Sequence, residues 1–308
     1  MTTVLITGGT GMIGAALTNA LVERNYKVII LSRGPVSHQP ATNNISYAKW
    51  NVENQTIDIP AFQKADYIIH LAGAGIADKR WTEKRKREII DSRVKSAELL
   101  VKTCGGNSNN LKAIVSASAI GWYGADPVIP NPRPFREDDP ADDSFLGATC
   151  KEWENSTEPF VHLGKRVVRF RTGIVLSNEG GALDEFKKPL RFGIAAILGN
   201  GKQVYSWIHI DDLVRLYIKA IEDDNMRGTY NAVAPKPVSN KELTMQLARE
   251  KKGNFFIPVH VPTFVLKAML GEMSFEVLKS ATVSCDKIHY SGFTFLYPTV
   301  EAALKNLL

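Results

Sequence analysis

The sequence predicts an α/β protein built on a doubly wound parallel sheet, and three observations lead to that fold class. Short, nearly continuous apolar runs alternate with segments of helical periodicity through the first half of the chain. This order is typical of parallel strands covered on both faces by helices. A glycine-rich turn directly follows the first apolar run. After Arg171 the regular alternation stops, which indicates a second structural part.

The first half supplies the predicted sheet and its flanking helices. β-Branched, apolar runs predict strands at Val4–Thr7, Lys27–Leu31, Tyr67–Leu71, Lys112–Ser116 and Arg166–Arg171. Apolar residues at helical spacing predict helices at Ala15–Arg24, Trp81–Thr103 and Thr149–Leu163. The proline- and acid-rich segment Asp126–Asp143 predicts an irregular surface loop.

The second half is less regular. Its patterns predict helices at Leu183–Phe192 and Leu213–Glu222, a strand at Tyr205–Ile210 and a short apolar run at Phe255–Val261. Helices fill most of the last seventy or so residues. No internal repeat or low-complexity tract interrupts the chain.

Composition narrows the class of protein. The 308 residues are 44% hydrophobic and 23% charged, which is ordinary for a soluble globular chain. A net charge of +6 is no nucleic-acid signature at this length. The three cysteines are widely separated and odd in number, which argues against a disulfide framework and favours a reducing compartment. No apolar run reaches the ~18 residues of a membrane span, and no signal peptide is recognisable. We expect a cytoplasmic protein without a membrane or nucleic-acid partner.

The glycine-rich turn links the first predicted strand to the first helix. In "ITGGTGMIG", Gly8, Gly11 and Gly14 have G-x-x-G-x-x-G spacing between strand and helix, the context that makes such a motif informative. Gly8 would permit the tight turn, Gly11 the approach of a pyrophosphate and Gly14 close packing of the helix. The amides of the first helical turn would then bind the anion. The alternative is a glycine-rich turn without a ligand.

The second predicted strand is followed by a basic residue. Arg33 lies 19 residues after Gly14. An acidic residue about 20 residues on would bind the ribose 2′-hydroxyl of NAD, whereas an arginine accommodates the 2′-phosphate of NADP. The planar guanidinium suits a phosphate, and Ser32 can add a hydroxyl donor. The sequence therefore predicts NADP(H) as the cofactor, with a solvated arginine at a strand end as the alternative.

Further segments carry a resemblance to a known family. "ADYIIHLAG", "IVSASAIGWYG", "VRFRTGIVL" and "YSWIHIDDLVRL" come in the order seen in extended short-chain dehydrogenases/reductases. "IADKRWT", "DSRV" and "YNAVAPKPVSNKEL" make the chain similar to the atypical NAD(P)-dependent epimerase-like subfamily, whose members are nucleoside-diphosphate-sugar epimerase-like. The resemblance extends to the C-terminal "GFTFLYPTVEAALKNLL". The glycine turn is shared by the whole superfamily, whereas "ADKRW" together with "WIHIDDL" is much more specific.

The resemblance implies two domains with the site in the cleft between them. A Rossmann domain that binds NADP would span residues 1–175, with 205–235 returning to it. Residues 176–204 and 236–308 would form a smaller α+β substrate-binding domain. Cofactor contacts carried over from the family are Gly8, Thr10, Gly11, Met12, Ile13, Gly14, Ser32, Arg33, Leu71, Ala72 and Gly73. Residues expected near the nicotinamide are Ser116, Arg171, Thr172 and Gly173.

The catalytic pattern of the superfamily is incomplete in this chain. The family uses a tyrosine in Y-x-x-x-K as general acid/base, with the lysine lowering its pKa and holding the ribose. None of the nine tyrosines has a lysine four positions later. Aligning "FLGATCKEWE" with the motif supplies Lys151 and puts Gly147 where the tyrosine should be.

Three residues are candidates for catalysis. Ser118 matches the position that would polarise a substrate hydroxyl or carbonyl, or it satisfies local backbone groups at a strand end. Tyr123 in "GWYG" can replace the missing acid, or it packs as an aromatic lid on the substrate pocket. Lys151 binds the ribose, or it is a surface lysine of a helix.

Other charged segments have weaker interpretations. The basic run "ADKRWTEKRKR" is typical of a solvated helix face, but Lys79, Arg80 and Trp81 follow a strand end and are predicted to bind an anionic substrate group. Asp211 and Asp212 in "WIHIDDL" are better helix caps than metal ligands. Histidine and cysteine spacing indicates no metal site.

Two functions follow from the sequence. The first is an NADP(H)-dependent reductase or epimerase acting on a hydroxyl or carbonyl substrate, with a nucleotide sugar implied by fold-level kinship. In it Ser118 orients the reacting oxygen, Lys151 positions the ribose, and Tyr123 or a water donates the proton. The second is an NADP(H)-binding sensor or regulatory protein with little or no catalysis, because the tyrosine is absent. The resemblance also implies that helices flanking the sheet can form a homodimer face.

Overall fold

The computed structural model describes residues 1–34 and 42–308. Strands β1 to β14 are Thr3–Thr7, Lys27–Ser32, Ile45–Asn51, Thr56–Ile57, Tyr67–His70, Ala113–Ala119, Arg166–Thr172, Ile174–Leu176, Ile194–Leu198, Val204–Tyr205, Trp207–His209, Gly228–Ala232, Val238–Ser239 and Ile257–Val261. Helices α1 to α12 are Met12–Glu23, Ile59–Gln63, Glu83–Gly106, Phe145–Thr157, Pro159–His162, Ala182–Leu190, Ile210–Glu222, Asn240–Lys252, Thr263–Leu270, Ser274–Leu278, Asp286–Tyr290 and Val300–Leu307. Single 3₁₀ turns occur at Ile120–Trp122 and Gly271–Met273.

The large sheet confirms the predicted doubly wound topology. Within the described ranges its strand order is β12-β7-β6-β5-β1-β2-β3-β4. Neighbouring strands are parallel except for the terminal β3–β4 pair. The chain winds outwards from β1 to one side through β2 and β3, and to the other through β5, β6 and β7. The carboxyl ends of β1 and β5 therefore flank the crevice in which such sheets bind ligands.

Burial on both faces explains the near-continuous apolar strands. In β1, Val4 and Ile6 join an apolar cluster with α1 and α7, whereas Leu5 joins a second cluster with α3 on the opposite face. Successive side chains of a strand point to opposite faces. Both faces must therefore be apolar when helices cover both.

The predicted elements of the first half are all present, with boundaries moved by a few residues. The fourth helix starts earlier than predicted, at Phe145, because the Ser144 side chain caps it by accepting a hydrogen bond from the Gly147 amide at 3.4 Å. The predicted helix Thr149–Leu163 is therefore not continuous: α4 ends at Thr157, and a separate short helix, α5, starts at Pro159. Strand β3 was not predicted, because its residues are partly exposed and the apolar signal is weak near the sheet edge.

The predicted loop at Asp126–Asp143 has no helix or ladder strand, but part of it is buried. The Asp126 carboxylate accepts hydrogen bonds from Asn131, Ser280 and Thr282 at 2.8–3.1 Å. The segment is irregular and mostly at the surface, as predicted, and these bonds tie its buried start to the C-terminal part of the chain.

The C-terminal part adds two-stranded sheets and helices. β9 pairs with β14, β8 with β11, and β10 with β13. Leu247 of α8 and Leu304 of α12 belong to the same apolar cluster as Val4 and Ile6 of β1. This cluster contains residues of both predicted domains, and the division between them stays a prediction. No helix in the described residues has the length and apolar character of a membrane span.

Candidate cofactor and active site

The glycine turn is closed by contacts that leave no space for side chains on its inner side. Gly8 has φ of +71°, and its carbonyl accepts a hydrogen bond from the Gly11 amide at 3.1 Å. A Cβ at Gly14 would lie 2.3 Å from the Gly8 carbonyl oxygen. A Cβ at Gly9 would lie 2.8 Å from Ile30. The turn therefore needs glycine at Gly9 as well, a packing requirement that the motif spacing did not reveal.

Helix α1 presents unpaired donors next to this turn. Its N-cap is Gly11, which has no side chain to cap the helix, and no acidic residue lies in the first turn. The amides of Met12, Ile13 and Gly14 precede the first helical bond, which Ala15 donates to Gly11. Among the described residues, a Cβ at Gly11 would touch only the Gly8 oxygen, at 3.4 Å, so within that part of the chain this side of the turn is open. Open space, free amides and the positive helix end together fit an anion such as a pyrophosphate.

Thr7 fixes the neighbouring strand end. Its Oγ1 accepts hydrogen bonds from the amides of Leu71 and Ala72, each at 3.1 Å. With both lone pairs occupied, its hydroxyl donates to His70 Nδ1 at 2.8 Å. His70 is then the tautomer protonated at Nε2, which donates to Ser96 Oγ at 3.3 Å. Burial lowers the pKa of His70 to about 4, so the ring is neutral at physiological pH.

Arg33 lies exposed just beyond β2. It forms no hydrogen bond or ion pair with another residue of the described ranges, and the adjacent Ser32 Oγ accepts a hydrogen bond from the Gly34 amide at 3.2 Å. β2 is paired in register with β1, so both strands end at the same edge of the sheet. An exposed guanidinium here has the chemistry to bind a phosphate, as the sequence predicts.

Ser118, the predicted orienting residue, lies buried near the end of β6. Its hydroxyl donates to Glu154 Oε1 on α4 at 2.7 Å. The same carboxylate accepts from Arg171 Nε at 2.8 Å and from Arg171 Nη2 at 3.0 Å. Arg171 and Glu154 are therefore a buried bidentate ion pair. The Arg171 guanidinium, which the sequence predicts near the nicotinamide, is thus paired with the Glu154 carboxylate inside the protein.

Tyr123 is fully buried within the same network. Its hydroxyl donates to Asn231 Oδ1 at 2.7 Å and accepts from Arg171 Nη1 at 3.0 Å. Its ring stacks on Phe135 with centroids 5.2 Å apart, and burial raises its pKa to about 12. This geometry favours the packing interpretation over a general acid, because the hydroxyl is enclosed and already hydrogen-bonded.

The residues of α4 that face the end of β6 are not the ones that the motif alignment predicted. A Cβ at Gly121 would touch Leu146 and Cys150, and Cys150 Sγ donates to the Ala119 carbonyl at 3.6 Å. Burial raises the Cys150 pKa to about 12, so it is a neutral thiol. Lys151 lies on the exposed face of the helix. The pair of α4 residues at i and i+4 that faces inward is therefore Leu146 and Cys150. The position of Lys151 fits the interpretation of a surface lysine rather than a ribose-binding one.

The remaining residues predicted around the nicotinamide have local partners. Ser116 Oγ donates to the Ala117 carbonyl at 3.0 Å, and Thr172 Oγ1 donates to the Phe170 carbonyl at 3.2 Å. A Cβ at Gly173 would lie 2.5 Å from the Ser206 carbonyl oxygen. Gly173 therefore permits the close approach of the chain segment that leads into β11.

The predicted substrate-binding residues lie between β5 and α3. Arg80 Nη2 donates to the Ala268 carbonyl of α9 at 2.8 Å. The Trp81 indole donates to the Ile76 carbonyl at 2.8 Å, and its ring packs edge-on against Phe145 at 4.9 Å. Lys79 is exposed. Arg80 thus joins this loop to the C-terminal helices, which sequence reasoning did not anticipate.

The "WIHIDDL" segment starts α7, but the prediction that Asp211 or Asp212 caps this helix is wrong, because both lie inside its first turn. His209 is the N-cap of α7 and accepts the Asp211 amide at Nδ1. The buried Asp212 carboxylate accepts from the amides of Leu296 and Tyr297 and from Arg215. These bonds hold the C-terminal chain against α7. Among the described residues, no group of three or more His, Cys, Asp or Glu is placed to hold a metal ion.

Glu154 is the main site residue that sequence reasoning missed. It lies eight residues after Leu146, so Leu146, Cys150 and Glu154 share one helical face. A carboxylate in an otherwise apolar, buried stripe is a detectable signal for a buried charge partner. The identity of that partner, Arg171 on β7, depends on the packing of the helix on the sheet.

The doubly wound sheet, the glycine turn and the uncapped helix define a Rossmann-type protein of the NAD(P)-binding epimerase fold. Residues 4–146 match the NAD dependent epimerase/dehydratase family, and residues 261–307 match a domain of unknown function, DUF1731. An epimerase family protein of Staphylococcus saprophyticus is 36% identical over 99% of this chain and 98% of its own length. The chain belongs to this epimerase family.

Solved structures agree with this membership. The human epimerase family protein SDR39U1, crystallised with NADPH, has a TM-score of 0.85 and 28% identity, covering 99% of this chain and 98% of its own. A nucleoside-diphosphate sugar epimerase from Corynebacterium glutamicum has a TM-score of 0.77 and 30% identity, covering 99% of this chain and 58% of its own. These matches confirm the predicted fold class and the resemblance to extended short-chain dehydrogenases/reductases.

Proposed function

We propose that this epimerase-family chain is an NADP(H)-dependent oxidoreductase acting on a hydroxyl or carbonyl substrate. The observation that carries the proposal is the pairing of an uncapped glycine turn with an exposed arginine at the end of β2. The pyrophosphate would lie on the amides of Met12, Ile13 and Gly14, and the 2′-phosphate on Arg33. The NADPH of the human relative supports the same cofactor.

The rest of the site would position the substrate. When bound, the nicotinamide supplies or accepts the hydride. Ser118 stays the proposed orienting residue, because it lies near the carboxyl end of β6 and its oxygen retains a lone pair beyond the bond to Glu154. With the Tyr123 hydroxyl enclosed, a water is the proton donor in this proposal. Lys79 and Trp81 would meet the substrate at the rim, and a nucleotide sugar remains the proposed class by kinship.

A second function has its own supporting observation. In the described network around Glu154, the hydroxyls of Ser118 and Tyr123 both donate inside the protein, and the inward pair on α4 is Leu146 and Cys150. Such an arrangement suits a protein that binds NADP(H) and senses its level without turnover.

The cofactor part is tested by titrating NADPH and NADH while following tryptophan fluorescence, for which the chain has five tryptophans. Arg33→Ala should weaken NADPH binding by about 1.5–3 kcal/mol, roughly ten- to a hundredfold, and leave NADH binding unchanged. Arg24→Ala is the matched control, because Arg24 is an exposed arginine at the other end of α1. Equal affinity for both nucleotides, or no effect of Arg33→Ala, would exclude the 2′-phosphate contact.

Turnover separates the two functions. Carbonyl compounds, including keto-sugar nucleotides, are mixed with NADPH, and the loss of NADPH absorbance is followed. Consumption that falls in Ser118→Ala supports the oxidoreductase. NADPH binding without consumption across the panel supports the sensor.

A further inference from the structure

Four exposed apolar side chains lie together at the start of the β9–β14 sheet. Phe192 and Phe255 expose 84% and 88% of their surface, Ile257 exposes 69% and Ile194 38%. Ile194 and Ile257 are register partners, and the Ile257 amide donates to the Gly193 carbonyl at 2.8 Å. These bonds bring the turn after α6 beside the turn after α8. We call Phe192, Ile194, Phe255 and Ile257 the two-turn patch.

Positive charge surrounds the two-turn patch. Arg191, at the end of α6, directly precedes Phe192, and the last turn of α8, three to six residues before Phe255, contains Arg249, Lys251 and Lys252. None of these four has an acidic partner within ion-pair distance in the described chain. Glu250 is the single acid among them in sequence.

The basic ends of α6 and α8 face the same region. Burial lowers the pKa of Lys187 on α6, and the positive charge of Lys251 on α8 lowers it further against the opposing effect of Asp184. Since β9 and β14 are paired in parallel from Ile194 and Ile257, the ends of α6 and α8 that lead into these strands lie at the same end of the small sheet. The apolar tips of the two turns and the basic residues before them are therefore at one end of this sheet.

The size and charge of the two-turn patch limit the kinds of partner that can bind it. Four side chains of this size expose at most several hundred Å², less than the roughly 800 Å² per partner of a stable protein interface. A two-fold contact with another copy would also bring the unpaired Arg191 and Lys251 toward their own equivalents, which is unfavourable. An occupant should be anionic and able to accept isolated aromatic side chains without a preformed pocket.

We propose that the two-turn patch docks the protein on an anionic lipid surface. Phe192 and Phe255 would enter the boundary between headgroups and acyl chains, while the surrounding arginines and lysines contact the headgroup phosphates. Such docking needs no membrane-spanning helix. It replaces the expectation of no membrane partner, which rested on the lengths of apolar runs.

Vesicle flotation tests the proposal with the full-length protein. The chain should float with vesicles of phosphatidylcholine mixed with phosphatidylglycerol, should not float with phosphatidylcholine alone, and should be released by high salt. The double variant Phe192→Ser/Phe255→Ser should lower partitioning by roughly tenfold or more. Lys251→Ala/Lys252→Ala should lower it about fivefold per charge removed.

The matched control is Tyr290→Ser, which removes an aromatic residue that is 83% exposed on α11, against β12 of the large sheet. It should leave partitioning unchanged, and all variants should keep the wild-type thermal unfolding curve. Equal binding to both vesicle types, or full binding by the phenylalanine variant, would overturn the proposal. So would a dimer in light scattering that the same variant dissociates, because the patch would then join two copies. NADPH titration of the same variants is independent of these outcomes.

Discussion

The carboxyl ends of β1 and β2 and those of β6 and β7 lie at the same edge of one sheet, yet their polar groups are used differently. At β1 and β2, the first-turn amides of α1 have no helical partner and Arg33 is exposed. At β6 and β7, Ser118, Glu154, Arg171 and Tyr123 are buried and bonded to one another.

The polar groups at the two ends differ in what it costs them to contact a ligand. Donors without internal partners are available to an external anion at no cost of breaking protein bonds. Paired, buried groups must first lose bonds that stabilise the fold. The groups at the first end are therefore available to a ligand, whereas those at the second end hold α4 and the loop before it on the sheet.

The largest expected effect is at the glycine turn. Gly14→Ala places a Cβ 2.3 Å from the Gly8 carbonyl oxygen and 2.6 Å from Gly9 Cα, so the backbone of the turn must move and NADPH binding should be lost. Gly11→Ala meets only a 3.4 Å contact and should keep its thermal stability while weakening NADPH binding. Isothermal titration and thermal melts separate the two variants. Unaltered NADPH affinity in Gly11→Ala would argue against a ligand on the open side of the turn.

The second largest expected effect is on the free energy of unfolding, when the buried ion pair of Glu154 and Arg171 is broken. Glu154→Ala leaves the guanidinium of Arg171 buried without its carboxylate, and the free energy of unfolding should fall by about 3–5 kcal/mol. Glu152→Ala is the control, because Glu152 lies on the exposed face of the same helix. Denaturant unfolding measures both. A loss below about 1 kcal/mol for Glu154→Ala would mean that the ion pair does not hold the β6–β7 end together.

The pH dependence of stability tests the role of His70, which is hydrogen-bonded to Thr7 at the carboxyl end of β1. His70 has a folded pKa of about 4 against an ordinary value of 6.5, so the unfolded chain binds the extra proton between these values. The contribution of His70 to stability should be complete above about pH 6.5 and should fall as the pH drops toward 4, by about 3 kcal/mol. Urea unfolding across this range should show a shallower slope in His70→Gln. An identical slope would assign the acid sensitivity to other groups.

The smallest expected effect concerns the enclosed tyrosine. Tyr123→Phe removes the bonds to Asn231 and Arg171 and should cost about 1–3 kcal/mol of stability. It should leave any NADPH-dependent turnover intact, because the hydroxyl is enclosed. Loss of turnover with an unchanged melting temperature would instead restore Tyr123 as the general acid.

Much of the cofactor end could be predicted from sequence because its determinants are local. The twelve consecutive residues from Thr3 to Gly14 contain a strand, four glycines and the start of a helix, and glycine is required where backbone approaches backbone. The missing Y-x-x-x-K pattern was also evident from spacing alone. Arg33 could be placed at a strand end by counting, although its specificity for NADP(H) stays a proposal.

The β6–β7 end was decided by tertiary packing. Sequence alignment brought Lys151 forward, but the rotation of α4 on the sheet turns Leu146, Cys150 and Glu154 inward instead. Glu154 and Arg171 are 17 residues apart, and Tyr123 and Asn231 are 108 apart. Pairings at such separations depend on how the helix and strands meet in space. The sequence by itself determined the turn that can receive a dinucleotide, whereas only the folded chain decided which polar groups remain free to act beside it.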